Sequence, residues 1–420
     1  MKRVLIAFVV LLFAVSVYAE SRLDLSGQYR MRGFSLENFG AWGGAPDFND
    51  STKADEENYF DQRFRVASTI KVADGITAHL RLDFAEETWG MTGTHSTDGD
   101  IDQDRAYVQI DKEMYNLKVG RQYFGLGNSM AFDMNSVGVN LTVKTPFAVT
   151  VGYIKESEGG MNSDDTNVAY EYDNGTPYTA NTEDANVYFA NLGYSNEMAN
   201  MNLFYAYQDN GKGSGIDELN QTLIGLQADG QVGVVGFNAE YNYLTGENDT
   251  TNKDYVGSQF YGDVFGNVGM LKVGTEVVYA AGTDDPDETQ ISMLNASSND
   301  YWDVFLPLGG FAGSDIMDFA FGYNGIFELD ENAGSMGIAP YVSVSPMDKL
   351  TLSANVGYFE PQEDSVTNLN SATVAIARAD YKLYENVGLK AQYGYISPDV
   401  DNGGNDDPAQ GFYGKFYVNF

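Results

Sequence analysis

Apolar residues recur at every second position through most of this chain, and polar residues occupy the intervening phase. Leu23, Leu25, Tyr29 and Met31 alternate with Asp24, Ser26, Gln28, Arg30 and Arg32. Phe60, Phe64, Val66, Ile70 and Val72 share one phase, while Asp61, Arg63, Arg65, Thr69 and Lys71 share the other. The same rhythm continues in Ile76, Ala78, Leu80, Leu82 and Phe84 against Thr77, His79, Arg81 and Asp83, and in Ala106, Val108 and Ile110 against Arg105, Gln109 and Asp111. It returns in Val235–Tyr243, Leu350–Tyr358 and Val387–Tyr395. A helical period would scatter these side chains around a cylinder; period two places each set on one face of a strand.

The connections between these runs alternate in length. Short ones are expected near Ala73–Gly75, Lys112–Met114, Lys144–Pro146, Ser195–Asn200, Asp229–Gln231, Phe265–Asn267, Pro346–Lys349 and Lys382–Asn386. Long polar stretches separate them, at 35–57, 86–101, 155–184, 209–219, 245–254, 281–335, 360–369 and 396–409. Two strands for each short turn and one at either end make 18, or 16 if one turn is spurious. Residues 281–335 are the least legible stretch; they read as a loop, a plug, or an extra hairpin at Asp318–Leu329. Short turns on one side and long loops on the other are the pattern of an all-β, transmembrane antiparallel β-barrel. A secreted sandwich or solenoid also alternates. However, the outward phase here keeps ending in Tyr or Phe, as interfacial girdles require.

The N-terminus fits that reading. Lys2 and Arg3 precede an apolar run from Val4 to Val15, then Val17-Tyr18-Ala19, which is the layout of a secretory signal. Twelve apolar residues are too few for a spanning helix, which needs about 20. Residues 1–19 are thus expected to be a cleaved signal peptide and 20–420 a single barrel domain.

Composition removes several classes of function. Asp plus Glu number 60 against 24 Lys plus Arg, a net charge of −36, and no nucleic-acid partner is expected without a cationic face. No Cys is present, which excludes disulfides and thiolate chemistry, and only two His are available. The 29 Tyr and 25 Phe, with 20% charged residues, argue for an ordered chain.

With its leader, its hairpin architecture and two local motifs, the chain resembles the Gram-negative outer-membrane porins. One motif is the aromatic last strand with Phe412, Phe416 and Phe420, which looks like the family's recognition signal for the barrel-assembly machinery. The other is Gly120-Arg121-Gln122 at the end of the fifth strand, similar to the sequence where porin strands lead into an inward-folded constriction loop. The resemblance implies passive diffusion of ions and small hydrophilic solutes across the outer membrane, and frequent homotrimers. The chain lacks the acidic Pro-Glu-Phe-Gly-Gly stretch that some porins carry on that loop, which leaves the acidic side of a constriction unassigned.

Arginine is concentrated in the first strands. Arg30, Arg32, Arg63, Arg65, Arg81 and Arg105 all fall on the polar phase. A lipid-facing Arg near the midplane would cost roughly 2–4 kcal/mol, so these six are expected to line the channel as a basic wall. Arg22 is expected near the periplasmic rim, and Arg121 falls in the outward phase. Residues 122–136 contain Tyr123, Phe124, Gly125, Leu126, Gly127, Met130, Phe132, Asp133 and Met134, too apolar for a water-exposed loop. The segment is expected to fold into the barrel as the constriction, with Asp133 facing the arginines. Arginines at the narrowest point favour anions and acidic outer loops favour cations, so no strong preference is expected.

Other chemistry is weaker. The aspartates at 98, 100, 102 and 104 and the cluster Asp284-Asp285-Pro286-Asp287-Glu288 lack calcium-loop spacing, so no metal or cofactor is expected. Divalent bridging to lipopolysaccharide phosphates is held in reserve. His79 and His95 have no neighbouring nucleophile elbow, so no enzyme is expected. The alternatives on this scaffold are a channel selective for phosphate-like anions or oligosaccharides, and a plugged structural or adhesive barrel.

Overall fold

A computed structural model describes residues 22–38, 56–90, 101–157, 185–210, 219–248, 253–291, 294, 333–364, 369–401 and 406–420. The leader, His95 and the possible hairpin at 318–329 lie outside the described residues. Within them the chain forms β1 (Leu23–Glu37), β2 (Glu57–Ala73), β3 (Ile76–Thr88), β4 (Ile101–Asp111), β5 (Tyr115–Gly125) and β6 (Asp133–Lys144). There follow β7 (Phe147–Ser157), β8 (Ala185–Ser195), β9 (Ala199–Asn210), β10 (Leu219–Val232), β11 (Val235–Asn248), β12 (Lys253–Val268) and β13 (Leu271–Ala280). A three-residue β14 (Glu288–Gln290) precedes β15 (Ser335–Met347), β16 (Leu350–Glu360), β17 (Leu369–Tyr384), β18 (Val387–Val400) and β19 (Ala409–Asn419).

All strands except β14 pair antiparallel with their sequence neighbours, and β1 pairs with β19, so 18 strands of the described residues close into a ring. The short β14 adds in parallel to the end of β12, at Asp254–Val256. Strands about 4.8 Å apart and tilted by roughly 40° make such a ring about 35 Å across, too wide for wall side chains to fill.

The alternation sorts the two faces. Leu25, Phe64, Leu203, Tyr241, Val356 and Tyr393 are exposed on the outer surface. Their opposite-phase neighbours, such as Phe204, Asn242, Asn355 and Gln392, are buried on the inner wall. Two expected turns are displaced. Asp229 pairs with Asn238 and Gly266 with Val235, so both segments are strand, and the reversals fall at Gly233-Val234 and Gly269-Met270. Gly233 and Gly269 have φ of +64° and +62° and supply the tight turns, while Asp229, Gln231 and Asn267 are inward-phase strand residues.

The seam is closed by the chain's last residue. Gly27 N–H donates to the Phe420 carbonyl at 2.8 Å, and Phe420 N–H donates back to the Gly27 carbonyl at 3.0 Å. The Phe420 ring stacks on Phe64, centroids 5.8 Å apart, over the notch that Gly27 leaves. A Cβ on Gly27 would lie 2.5 Å from this ring. Gly27→Val is therefore expected to unseat Phe420 at a cost of about 1–3 kcal/mol. A lowered midpoint for heat unfolding of the detergent-solubilised barrel checks this; an unchanged midpoint would contradict the seat.

Candidate functional site: a guanidinium ladder facing a hairpin tip

The six arginines occupy neighbouring inward positions on β1 to β4. Arg30 stands opposite Arg63 in the β1–β2 register, and Arg81 opposite Arg105 in the β3–β4 register. Three carboxylates on the same wall pair with members of this ladder. Asp61 accepts from Arg32 Nε at 2.8 Å and from its Nη2 at 2.5 Å. Asp83 accepts from Arg65 Nε and Nη2, both at 2.6 Å. Asp104 pairs with Arg81 and lies 3.8 Å from Arg105 Nε. A forked guanidinium on a carboxylate is held in one orientation, and its charge is largely compensated locally.

Asp104 gains its place from a bulge. The β3–β4 register steps from Arg81↔Arg105 to Leu82↔Gln103, leaving Asp104 as the extra residue. Such a bulge re-aims a side chain, here into the ladder. Below it, His79 stacks on Tyr107 with centroids 4.6 Å apart, and its ring nitrogens meet Thr69 Oγ1 at 3.2 Å and Thr77 Oγ1 at 2.8 Å. Arg22 sits at the strand base, where its carbonyl accepts from Lys71 N–H at 2.7 Å. Arg121 stays on the outward phase beside Val137, its Nε donating to the Gln103 carbonyl at 2.9 Å.

The hairpin β5–β6 leaves the wall. Pairing of β4 with β5 ends at Ala106↔Arg121, and pairing of β6 with β7 ends at Val137↔Lys155. The two hairpin strands stay paired with each other up to Gly125↔Asp133. Residues 122–136 are thus mostly a continuation of the hairpin, and only 126–132 form its connecting loop. Gly120, with φ of +125°, marks the departure; a Cβ there would lie 2.4 Å from the Ala106 carbonyl oxygen.

One face of the tip packs on the inner wall. Phe124, Leu126, Ala131, Phe132 and Met134 form one buried cluster with Ile154, Val187, Phe189, Phe204, Ala206, Leu223 and Leu244 of β7 to β11. Phe132 is 0% exposed, and burial of a Phe side chain contributes about 1.5–3 kcal/mol. Polar bonds hold the apex to β11: Glu240 accepts from Asn128 N–H, and the Asn128 and Asn238 side-chain amides bond each other at 3.1 and 3.2 Å. Leu294 N–H adds a bond to the Ala131 carbonyl at 3.1 Å.

The other face of the tip carries Tyr123 and Asp133. Tyr123 Oη lies 2.8 Å from Ser129 Oγ and donates to Asp133 at 3.1 Å. The Arg105 guanidinium lies 5.5 Å from the Tyr123 ring centroid, within cation–π range. Tip and ladder therefore meet at Arg105.

The carboxylates on the far wall were not legible as a group. β11 lies nine strands from β2 in either direction around the ring. On β11 to β13, Glu240, Asp263 and Glu276 are buried on the inner side, with Tyr341 donating to Asp263 at 3.0 Å and Tyr261 to Glu276 at 3.1 Å. A cavity of about 770 Å³ opens beneath the tip, among Asn128, Asn200, Asp229, Asn238, Tyr261 and Asp263. The only signal was placement of Asn238, Glu240 and Asn242 on one polar phase. Among the described residues no cluster of three metal-ligating side chains is present.

A family model described as Gram-negative porin matches residues 5–403. No curated protein matches the sequence. Among solved structures, Pseudomonas aeruginosa OccK9 (OpdG) is similar with a TM-score of 0.58 at 12% identity, covering 94% of this chain and 98% of that one. A BenF-like porin from Pseudomonas fluorescens Pf-5 gives 0.56 at 12% identity, covering 95% and 99%. Pseudomonas aeruginosa OpdK with vanillate gives 0.53 at 11% identity, covering 94% and 98%.

Asp104→Asn removes the carboxylate beside Arg81 and Arg105 and leaves the side-chain volume almost unchanged. The reversal potential in a salt gradient is expected to move toward anions. No movement would mean that Asp104 does not compensate the ladder.

Proposed function

The chain belongs to the Gram-negative porin family and makes an outer-membrane channel for small solutes, and we propose that its narrowest passage runs between the hairpin tip and the arginine ladder. The observation that carries this reading is the approach of Tyr123 to Arg105, on a tip whose other face is packed against β7 to β11. Arg30, Arg32, Arg63, Arg65, Arg81 and Arg105 form the basic side of the passage, and Tyr123, Phe124, Gly125, Gly127 and Asp133 belong to the element that narrows it. Guanidinium groups on one side and carboxylates on the other set a transverse field, which orders water and favours polar solutes over apolar ones of similar size.

Because Asp61, Asp83 and Asp104 offset three of the arginines, the reading is a passive channel without strong charge preference. It involves no cofactor, metal or catalytic residue. The second reading is a channel selective for small anions. Its support is the same ladder, beside a Tyr123 ring able to contact a flat solute; the similar OpdK has been solved with vanillate. Residues 1–19 serve on this account as a cleaved signal, 20–420 as one barrel domain, and Phe412, Phe416 and Phe420 as the signal for the assembly machinery. Lipopolysaccharide surrounds the outer rim, and the trimer is the assembly that the family implies.

Planar-bilayer recording of the purified protein tests the proposal. Discrete open steps are expected, and Arg63→Glu should shift the reversal potential toward cations. An unshifted potential would remove Arg63 from the passage. Block by one anion at low concentration would favour the selective reading, and absence of open steps would favour a plugged barrel.

A further inference from the structure

The polar attachment of the hairpin apex has a construction of its own. Glu240 is 1% exposed on the inner face of β11. One of its carboxylate oxygens takes the Asn128 backbone N–H, and the other accepts from Asn242 Nδ2 at 2.8 Å. The preceding Gly127 has φ of +59°, and a Cβ there would lie 2.4 Å from Glu240 Oε2 and 2.7 Å from the Phe204 ring. Glycine is thus required both by the turn and by the closeness of the carboxylate. The reciprocal Asn128–Asn238 amide pair sits beside it. A buried carboxyl group whose two oxygens each take an N–H from a different partner is fixed in direction by both bonds. It directs the tip more sharply than the apolar contacts of Phe132 or Leu126, which tolerate sliding.

We propose that Glu240, acting with Gly127 and the Asn128–Asn238 pair, is a positioning clamp that fixes the tip against β11 and thereby sets the width left beside the arginines. This rests on the reading of the tip as the narrowest passage. Glu240 itself does not touch the solute. Its effect is exerted through the distance between Tyr123 and Asp133 on one side and Arg105 on the other. Without the clamp, the apolar cluster and the Leu294–Ala131 bond still hold the tip inside the barrel, but at a variable distance from the ladder. The channel then becomes wider on average and noisier in time.

The test compares single-channel conductance and liposome-swelling rates for graded sugars in Glu240→Ala, Glu240→Gln and a deletion of residues 126–131. Heat-modifiable migration confirms that each barrel is folded. Glu240→Ala is expected to raise conductance, to add fast fluctuation, and to admit larger sugars than the unmodified channel. Glu240→Gln keeps an acceptor oxygen and is expected to stay near the unmodified channel. Since the chain contains no Cys, Asn128→Cys with Asn238→Cys can be joined by a short bismaleimide in the Glu240→Ala background. The join is expected to restore the original conductance. If Glu240→Ala does not fold, Asn128→Ala combined with Asn238→Ala replaces it with the same expected direction. A deletion that raises conductance while folded clamp variants leave it unchanged overturns the clamp alone. A deletion that also changes nothing overturns the reading of the passage beneath it.

Discussion

In a hydrocarbon layer no water is available to satisfy backbone N–H and C=O groups, and each one left unpaired costs several kcal/mol. A sheet in that setting has to close. Here closure falls on β1, which pairs with β2 on one side and β19 on the other, and the last residue completes the seam across Gly27. Closure is also why the pattern is so regular: with every backbone group committed to the ring, only side-chain phase remains to distinguish lipid from interior.

Closure with 18 strands creates a second requirement, because the interior is too wide for the wall alone to narrow. One hairpin leaves the wall at Arg121 and Val137 and packs onto β7 to β11, and on the reading proposed above it is the element that narrows the interior. A strand that leaves the wall keeps its alternation but changes its surroundings. Val139 and Val137, on the odd phase of β6, are exposed on the outer surface. Asp133, on the same phase beyond the departure, meets Tyr123 near Arg105. One uninterrupted period of two thus faces the outer surface at its base and the Tyr123 side of the hairpin at its tip.

Much of this was legible from residues alone. Strand phase follows from alternation, and it places the arginines of β1 to β4 on the inward positions. What escaped depends on register between strands. Asp61 and Asp83 meet Arg32 and Arg65 only because adjacent strands align them, and Asp104 reaches Arg81 only through a bulge. The turns at Gly233 and Gly269 were displaced because Asp229, Gln231 and Asn267 resemble turn residues while serving the inner face. The apolar inner wall was also missed. Strands such as Leu203-Phe204-Tyr205-Ala206 turn Leu203 and Tyr205 to the lipid-facing outer surface and Phe204 and Ala206 beneath the hairpin tip, so their polar phase disappears. Glu240 lay in plain view on a polar phase, but its partner is 112 residues away.

The most direct measurement places single cysteines at Asp133 and at Val139, two positions on one face of β6, in an otherwise cysteine-free chain, and exposes the open channel to a charged, membrane-impermeant thiol reagent. The account predicts that the cysteine at 133 reacts and reduces the current while the one at 139 is spared. Equal reactivity at both, or protection of 133 alone, would mean that the hairpin does not turn its outer face to the water-filled interior.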